Sequence, residues 1–289
     1  MKPHVDLDGG RHTADLWNPD APGTAVLALH GFTGSGADWS PLAESLDAPV
    51  LAPDLLGHGG SPAPGEAARY RIDNVVDHCL AWCRSRPRWI VMGYSMGGRV
   101  ALRLAPALGD RLCGLVLIST SPGLEDPTER AERAVRDAEL ADAIEAHGVA
   151  WFTERWAQHP LIRSQEQIAA SLRIPMQQRR LDNRAAGLAG SLRGMGQGAV
   201  LPVWDRLGGI EAPTLWVTGA GDPQYTAIAA RGTALLANAR HVVIPDAGHC
   251  THLEAPAPTL ERVQRFVAAV DRPDGQFTWN PVMNGATDF

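Results

Sequence analysis

Ser95 lies at the centre of Gly93-Tyr94-Ser95-Met96-Gly97, directly after the apolar run Trp89-Ile90-Val91-Met92 and directly before a segment of helical pattern, Arg99 to Leu108. A serine on so tight a strand-to-helix turn holds its backbone in a strained conformation, and only small residues two positions either side let strand and helix pass this close. Gly93 and Gly97 meet that need. The same five-residue pattern occurs in ordinary glycine-rich turns; its setting between a strand and a helix is what marks it as a nucleophile elbow. A serine hydroxyl is a weak nucleophile or base until a histidine takes its proton and an acid orients that histidine. Asp222, in Gly219-Ala220-Gly221-Asp222, follows the apolar run from Thr214, and His249, in Asp246-Ala247-Gly248-His249, follows the run from His241. Each residue alone reads as a loop charge or a satisfied histidine. Together, in the order Ser95, Asp222, His249 and at the ends of strands, they form a candidate triad.

Such a triad needs donors for negative charge developing on a carbonyl oxygen. Two backbone N–H groups supply them, one from the residue after the serine and one from the loop after the Ala25 strand, which here are Met96 and Phe32. The glycines of His30-Gly31-Phe32-Thr33-Gly34 let that loop approach the serine. Other polar residues nearby read as structural. Asp54 and His58, in Asp54-Leu55-Leu56-Gly57-His58-Gly59, are expected to fix a loop, and neither His241 nor His252 follows the Gly-His turn.

The elements that must position these residues are legible in the hydropathy. Val5 to Leu7 and Thr13 to Trp17 flank Asp8-Gly9-Gly10 as a hairpin. Short apolar runs then alternate with helical segments: strands are predicted at Ala25–His30, Val50–Asp54, Trp89–Gly93, Gly114–Ser119, Thr214–Thr218 and His241–Ile244. Helices are predicted at Ala37–Leu46, Ile72–Arg84, Met96–Leu108, Tyr225–Ala237 and Ala257–Val270. Near-continuous apolar strands separated by helices imply an α/β fold, with a mostly parallel sheet covered on both faces. More than ninety residues of helical pattern between Ser119 and Thr214 break the rhythm. They read as a cap inserted after the sixth strand, cut into short helices by Pro122, Pro127, Pro160, Pro175 and Pro202. The expected division is a core of residues 1–121 and 207–270, a cap of 122–206 and a disordered C-terminal tail of 271–289.

Composition excludes several classes. A formal charge of −6 argues against a nucleic-acid partner, and no apolar stretch reaches the ~20 residues needed to span a bilayer. Met1 to Trp17 lacks a signal-peptide core, so the expected location is cytoplasmic. Cys79, Cys83, Cys113 and Cys250 form no zinc-ligand spacing and are expected as free thiols; neither a metal nor a cofactor is implied, and no obligate protein partner.

With these motifs in place, the chain resembles the alpha/beta-hydrolase superfamily over residues 1–270. More narrowly it is similar to the 2-succinyl-6-hydroxy-2,4-cyclohexadiene-1-carboxylate synthases of menaquinone biosynthesis. The resemblance is carried by His30-Gly31-Phe32-Thr33-Gly34-Ser35, Gly57-His58-Gly59-Gly60-Ser61, Gly93 to Arg99, and the cap start Pro122-Gly123-Leu124 followed by Glu129-Arg130-Ala131-Glu132-Arg133. It implies a lyase that removes a proton alpha to a succinyl carbonyl and expels pyruvate, with the triad as base and the oxyanion hole holding an enolate. It also implies substrate contacts at Tyr94, Arg99, Arg130, Arg133, Trp156 and Arg180. A departure stands at Asp222-Pro223-Gln224-Tyr225, where family members often carry a lysine.

A small polyanionic carboxylate substrate needs fixed cations. Residues 146–204 hold seven arginines (155, 163, 173, 179, 180, 184 and 193) against Glu154, Glu166 and Asp182, a formal +4 in a protein of −6. The expectation is a basic cap that focuses anions into the pocket. Two other readings remain open: a serine hydrolase of the same fold, either a carboxylesterase or a carbon–carbon bond hydrolase, and a non-catalytic ligand receptor.

Overall fold

The computed structural model describes residues 2–8, 10–271, 277 and 279. Eight strands form one sheet: β1 (His4–Leu7), β2 (Gly10–Trp17), β3 (Ala25–Leu29), β4 (Val50–Pro53), β5 (Trp89–Tyr94), β6 (Leu112–Ile118), β7 (Thr214–Gly219) and β8 (Ala239–Ile244). Their order is β1-β2-β4-β3-β5-β6-β7-β8; β1 pairs antiparallel with β2 and β2 with β4, and every other pair is parallel. The central strands are apolar along their whole length because both of their faces are covered; every residue of β3, β4, β5 and β7 is buried. The hairpin strands β1 and β2 alternate in exposure instead, as an edge must.

Helices cover both faces. Leu42 and Ala43 of α1 (Ser40–Ala43) and Val263, Phe266 and Val267 of α9 (Pro256–Val270) join the apolar cluster on one side; α8 (Thr251–Glu254) adds Leu253. On the other side lie α2 (Ile72–Trp82), α3 (Met96–Leu108) and, through Ala229, α7 (Pro223–Leu235). From β3 the chain runs outward to β4 and then returns to the opposite side of β3 as β5. Ligand sites of open α/β sheets lie at such a switch point, beyond the carboxyl ends of the strands. The Phe32 loop leaves β3 there, and Ser95 leaves β5.

The helical cap enters after β6. It comprises α4 (Pro127–Ala157), α5 (Ala170–Leu181) and α6 (Ala185–Met195), held by a small core of Ala141, Ile144, Phe152, Leu188, Ala189 and Leu192. The Asp126 carboxylate caps α4, accepting the Thr128 and Glu129 amides at 2.7 and 2.9 Å, and Pro127 follows at the first helical position, where a missing N–H costs nothing.

Several expectations are corrected. Prolines do not cut the cap into short helices: α4 extends over 31 residues, and its one break is Gly148 at φ 83°, a conformation glycine adopts without strain. Pro175 lies inside α5. The helix expected at Ala37–Leu46 is a 3₁₀ turn, Gly36–Trp39, followed by the single turn of α1, because Pro41 removes an amide donor. Most of the expected tail lies outside the described residues, but the Phe277 and Trp279 rings pack 5.8 and 6.0 Å from that of Phe266, and Trp279 donates to Asn238 Oδ1 at 2.7 Å. Among the described residues no helix is long and apolar enough to cross a membrane.

Candidate active site

Ser95 joins β5 to α3 with φ 50° and ψ −108°, outside the regions a serine normally occupies. The crowding explains the glycines: a Cβ on Gly93 would fall 2.6 Å from the Gly97 carbonyl oxygen, and one on Gly97 would fall 2.1 Å from that of Leu29. Three hydrogen bonds to the Ser95 main chain hold the strained turn. Ser95 N donates to Ile118 O at 2.9 Å, while Ser95 O accepts from Thr120 Oγ1 at 2.7 Å and from Arg99 N at 3.2 Å.

The structure brings the three triad candidates into one line. His249 Nε2 stands 3.0 Å from Ser95 Oγ, and His249 Nδ1 stands 2.7 Å from Asp222 Oδ2. Asp222 also caps α7, its Oδ1 accepting the Tyr225 amide at 3.2 Å, so each carboxylate oxygen has its own task. With Nδ1–H donating to the carboxylate, Nε2 is left to accept the serine proton. The two loops are stitched together, since Gly221 N donates to Ala247 O at 2.8 Å and Ala220 N to Ile244 O at 2.9 Å. Asp222 and His249 are both buried, away from competing water.

Met96 opens α3, so its N–H is one of those a helix start leaves without an intrahelical acceptor. Phe32 follows β3 in a turn closed by Gly34 N donating to Gly31 O at 3.1 Å. Both residues line, with Ser95 and His249, a cavity of about 470 Å³. The cap supplies the far wall: Arg133, Arg136, Asp137 and Leu140 from α4, Trp156 and His159 beyond the Gly148 break, and Ser191, Leu192, Met195, Gly196 and Gln197 around the end of α6.

Cations are unevenly distributed here. Arg99 is 6% exposed; its Nη2 donates to Met195 O at 2.9 Å and its Nε has no partner. Burial lowers its pKa, outweighing the opposing pull of Tyr225 and Asp137. Arg133 Nε donates to Asp137 Oδ1 at 2.8 Å, and Arg136 lies 3.6 Å from Glu132. The Trp156 indole N–H is buried without a partner. His159 stays neutral, because burial first and Arg133 second lower its pKa. The cavity's charged lining is therefore three arginines against one aspartate.

Two proposed contacts fall elsewhere. Arg130 donates to Leu124 O at 2.9 Å and to Glu125 O, so it braces the entry to α4 and does not line the cavity. Arg180 donates to Gln165 Oε1 at 2.6 Å and faces a pocket of about 20 Å³, behind a partition of Phe32, Tyr94 and Ile162 that lines both spaces. The basic-cap expectation fails more broadly: none of the seven arginines of 146–204 lines the main cavity. Arg155 lies over the Trp151 ring, Arg179 pairs with Asp38 at 2.5 Å, Arg184 donates to Gly59 O and Ser61 O, and Arg193 bridges Asp142 and Glu145. They fasten the cap to the core and to itself.

Sequence reasoning missed Arg136, Asp137, His159, Gln197 and Tyr225. A signal existed for α4, since residues 133, 136, 137 and 140 have the i, i+3, i+4, i+7 spacing of one helix face. Tyr225 receives the Gln197 amide at 2.8 Å and sets its ring edge-on to His249, 4.5 Å between centroids. Gln224, where a lysine was expected, also lines the cavity. The residues set aside as structural behave so. Asp54 accepts from Thr13 Oγ1, Gly36 N and Gly60 N, His241 pairs with Thr218 Oγ1, and burial drives His58 and His252 down to about 3, leaving both neutral.

An eight-stranded, mostly parallel sheet with an elbow serine, a buried Asp–His pair and a cap over the switch point defines the class: the chain belongs to the alpha/beta hydrolase family, which it matches over residues 26–262. Within that family, a Bacillus subtilis (strain 168) protein provisionally named 2-succinyl-6-hydroxy-2,4-cyclohexadiene-1-carboxylate synthase is 37% identical over 91% of this chain and 97% of its own. The Salmonella newport (strain SL254) protein bearing that name is 31% identical over 86% of this chain and 96% of its own. Among solved structures, MenH from S. aureus superimposes with a TM-score of 0.83 at 27% identity, covering 90% of this chain and 99% of that one.

Proposed function

We propose that this protein is a carbon–oxygen lyase that eliminates pyruvate from 2-succinyl-5-enolpyruvyl-6-hydroxy-3-cyclohexene-1-carboxylate, giving 2-succinyl-6-hydroxy-2,4-cyclohexadiene-1-carboxylate. The observation that carries the reading is the Ser95–His249–Asp222 line opening into a cavity whose charged lining is three arginines and one aspartate. The synthase names of its relatives support it.

In this mechanism His249, oriented by Asp222, takes the Ser95 proton, and the serine oxygen removes the proton alpha to the succinyl carbonyl. The electron pair moves onto the carbonyl oxygen, where the N–H groups of Phe32 and Met96 hold it as an enolate. Collapse of the enolate forms a double bond between ring carbons 2 and 3, shifts the existing 3,4 double bond to carbons 4 and 5, and breaks the carbon–oxygen bond between carbon 5 and the enolpyruvyl group. The leaving enolate takes the proton held by His249 and becomes pyruvate, so the protein ends as it began and no water is added. Arg99 and Arg133 bind substrate carboxylates, with Arg136 at the mouth and Tyr94 and Trp156 as further contacts. The steps use neither cofactor nor metal. The reading sets the enzyme in the cytoplasm, where a small polycarboxylate is dissolved.

One observation favours a second reading: the Ser95 hydroxyl is as well placed for attack on an ester as for proton abstraction. A carboxylesterase or carbon–carbon bond hydrolase would use the same hardware. Incubation with the enolpyruvyl substrate should release pyruvate, with turnover of p-nitrophenyl acetate far slower. Efficient ester turnover without detectable pyruvate would replace the lyase with the hydrolase. A serine that fails to react with an active-site phosphonate would leave only a ligand receptor.

A further inference from the structure

The backbone on both sides of His249 is gripped by one carboxylate that the mechanism does not use. Glu254, on α8, accepts the Gly248 amide on Oε2 at 2.5 Å and the Cys250 amide on Oε1 at 3.0 Å. These are the residues immediately before and after His249. The hydroxyl of Ser164 donates to the same Oε1 at 3.0 Å from the cap's 3₁₀ turn, Arg163–Gln167. Gly248 has no room to move sideways: a Cβ there would fall 2.3 Å from Ser164 Oγ and 2.9 Å from Glu254 Oε2.

We infer that Glu254 is a positioning residue for His249, fixing the main chain from which the imidazole reaches both Ser95 and Asp222, and that Ser164 ties this clamp to the cap. The geometry requires such a device. His249 stands on a short irregular turn after β8, not within a strand or helix, so no regular ladder sets its backbone. Its ring must satisfy two hydrogen bonds at once, 3.0 Å to Ser95 and 2.7 Å to Asp222, and a rotation of the turn that improves one lengthens the other. Two charge-assisted bonds from a single carboxylate, one on each flank, remove that freedom. The tie to the cap adds a second consequence. Ile162, two residues before Ser164, lines the main cavity, so the segment that meets substrate also holds the clamp on the histidine.

The inference rests only on that part of the proposed function which makes Ser95 and His249 a reactive pair, and it is independent of the substrate. The test is therefore the labelling of Ser95 by a small uncharged phosphonate, resolved into a maximal rate and a half-saturating concentration. Rates are normalised to the folded fraction measured by thermal unfolding. In Glu254→Gln, an amide nitrogen replaces one acceptor and faces a backbone N–H. The maximal rate should fall about 10- to 100-fold, with the half-saturating concentration unchanged, as for a misplaced catalytic group. Ser164→Ala leaves the carboxylate and both amide bonds in place and should keep the maximal rate within about threefold of wild type. Glu254→Gln labelling at the wild-type rate would overturn the positioning role. So would a loss that disappears on normalisation to folded protein, or one that Ser164→Ala matches in full. Wild-type protein that does not label would overturn both this inference and the proposed function, which separates that failure from the others.

Discussion

The two walls of the cavity are built in opposite ways. The core wall carries Ser95, Met96, Tyr94 and His249 on strand ends and tight turns, and nearly every polar group is bonded to another in the same wall. The cap wall carries Arg133, Arg136 and Asp137 on one face of α4; there the arginines hold acids of their own helix, and their side chains are 37% and 59% exposed. Arg99 stands between, rooted in the core helix α3, buried, and donating to the Met195 carbonyl of the cap. Under the proposed function the difference separates two tasks. A wall that must hold three groups in line at hydrogen-bond distance is rigid and preorganised, whereas a wall proposed to receive carboxylates needs fixed charge with spare donors.

The strongest way to break this division is at the core. Ser95→Ala and His249→Ala should each lower turnover by about three or more powers of ten with substrate affinity close to wild type, and the double variant should be no worse than either single. Steady-state kinetics beside calorimetric binding checks this. Strictly additive losses, or affinity falling with turnover, would mean that the core wall also does the recognising.

Arg99→Ala should come next. A buried guanidinium with a free Nε is worth about 1.5 to 3 kcal/mol to a bound carboxylate, so affinity should fall by about 10- to 100-fold. Labelling of Ser95 by a small uncharged phosphonate should remain near wild type, and Arg99→Lys should recover only part of the loss, because an ammonium cannot reproduce a planar two-pronged contact. A phosphonate rate that falls with substrate affinity would place Arg99 in the chemistry.

The two walls were also unequally legible. Order and spacing located Ser95, Asp222 and His249, because an elbow demands glycines at 93 and 97 and each partner must follow a strand. The structure places the His249 ring within hydrogen-bond reach of both Ser95 and Asp222. The central strands were equally plain, since burial on both faces leaves an uninterrupted apolar run. The cap was misread because a count of charges carries no direction. Arg179 and Arg193 add to the same total as Arg133, yet Asp38, Asp142 and Glu145 turn them away from the cavity. Periodicity along α4 held the missing information, as Arg133, Arg136, Asp137 and Leu140 share one face. Glu254 was hidden for a different reason: a clamp on backbone amides depends on how a turn folds back, which no spacing rule specifies.

Arg133→Ala should cost less than Arg99→Ala, about 1 to 2 kcal/mol in substrate affinity, because its guanidinium is partly solvated and already shares charge with Asp137. The same substitution leaves Asp137 buried and short of its strongest partner, so the cap should also lose stability, by about 1 to 3 kcal/mol. Asp137→Asn would sharpen the point. It leaves Arg133 without its anchoring charge and should weaken substrate binding, although Asp137 itself would repel a carboxylate. Tighter binding in Asp137→Asn would show that repulsion outweighs positioning.

The smallest effect should come from Arg136→Ala, compared with Arg193→Ala as a cap arginine that faces away. Arg136 lines the cavity but is more than half exposed, with Glu132 at 3.6 Å, so any attraction for the proposed substrate carboxylate acts through water. Its loss should weaken binding by at most about 1 kcal/mol. Arg193 is held by Asp142 and Glu145 outside the cavity, and its removal should leave substrate affinity unchanged. Salt distinguishes the three classes of arginine better than magnitude does. Raising ionic strength from about 0.05 to 0.5 M shortens the screening length to a few ångströms, which should erase the Arg136 contribution while leaving most of the Arg99 contribution intact. If Arg193→Ala weakens binding as much as Arg136→Ala, and salt abolishes both alike, the cap attracts its substrate through its summed field. If Arg136→Ala alone matters and persists in salt, the mouth of the cavity makes a direct contact, and α4 recognises the substrate along its whole inner face.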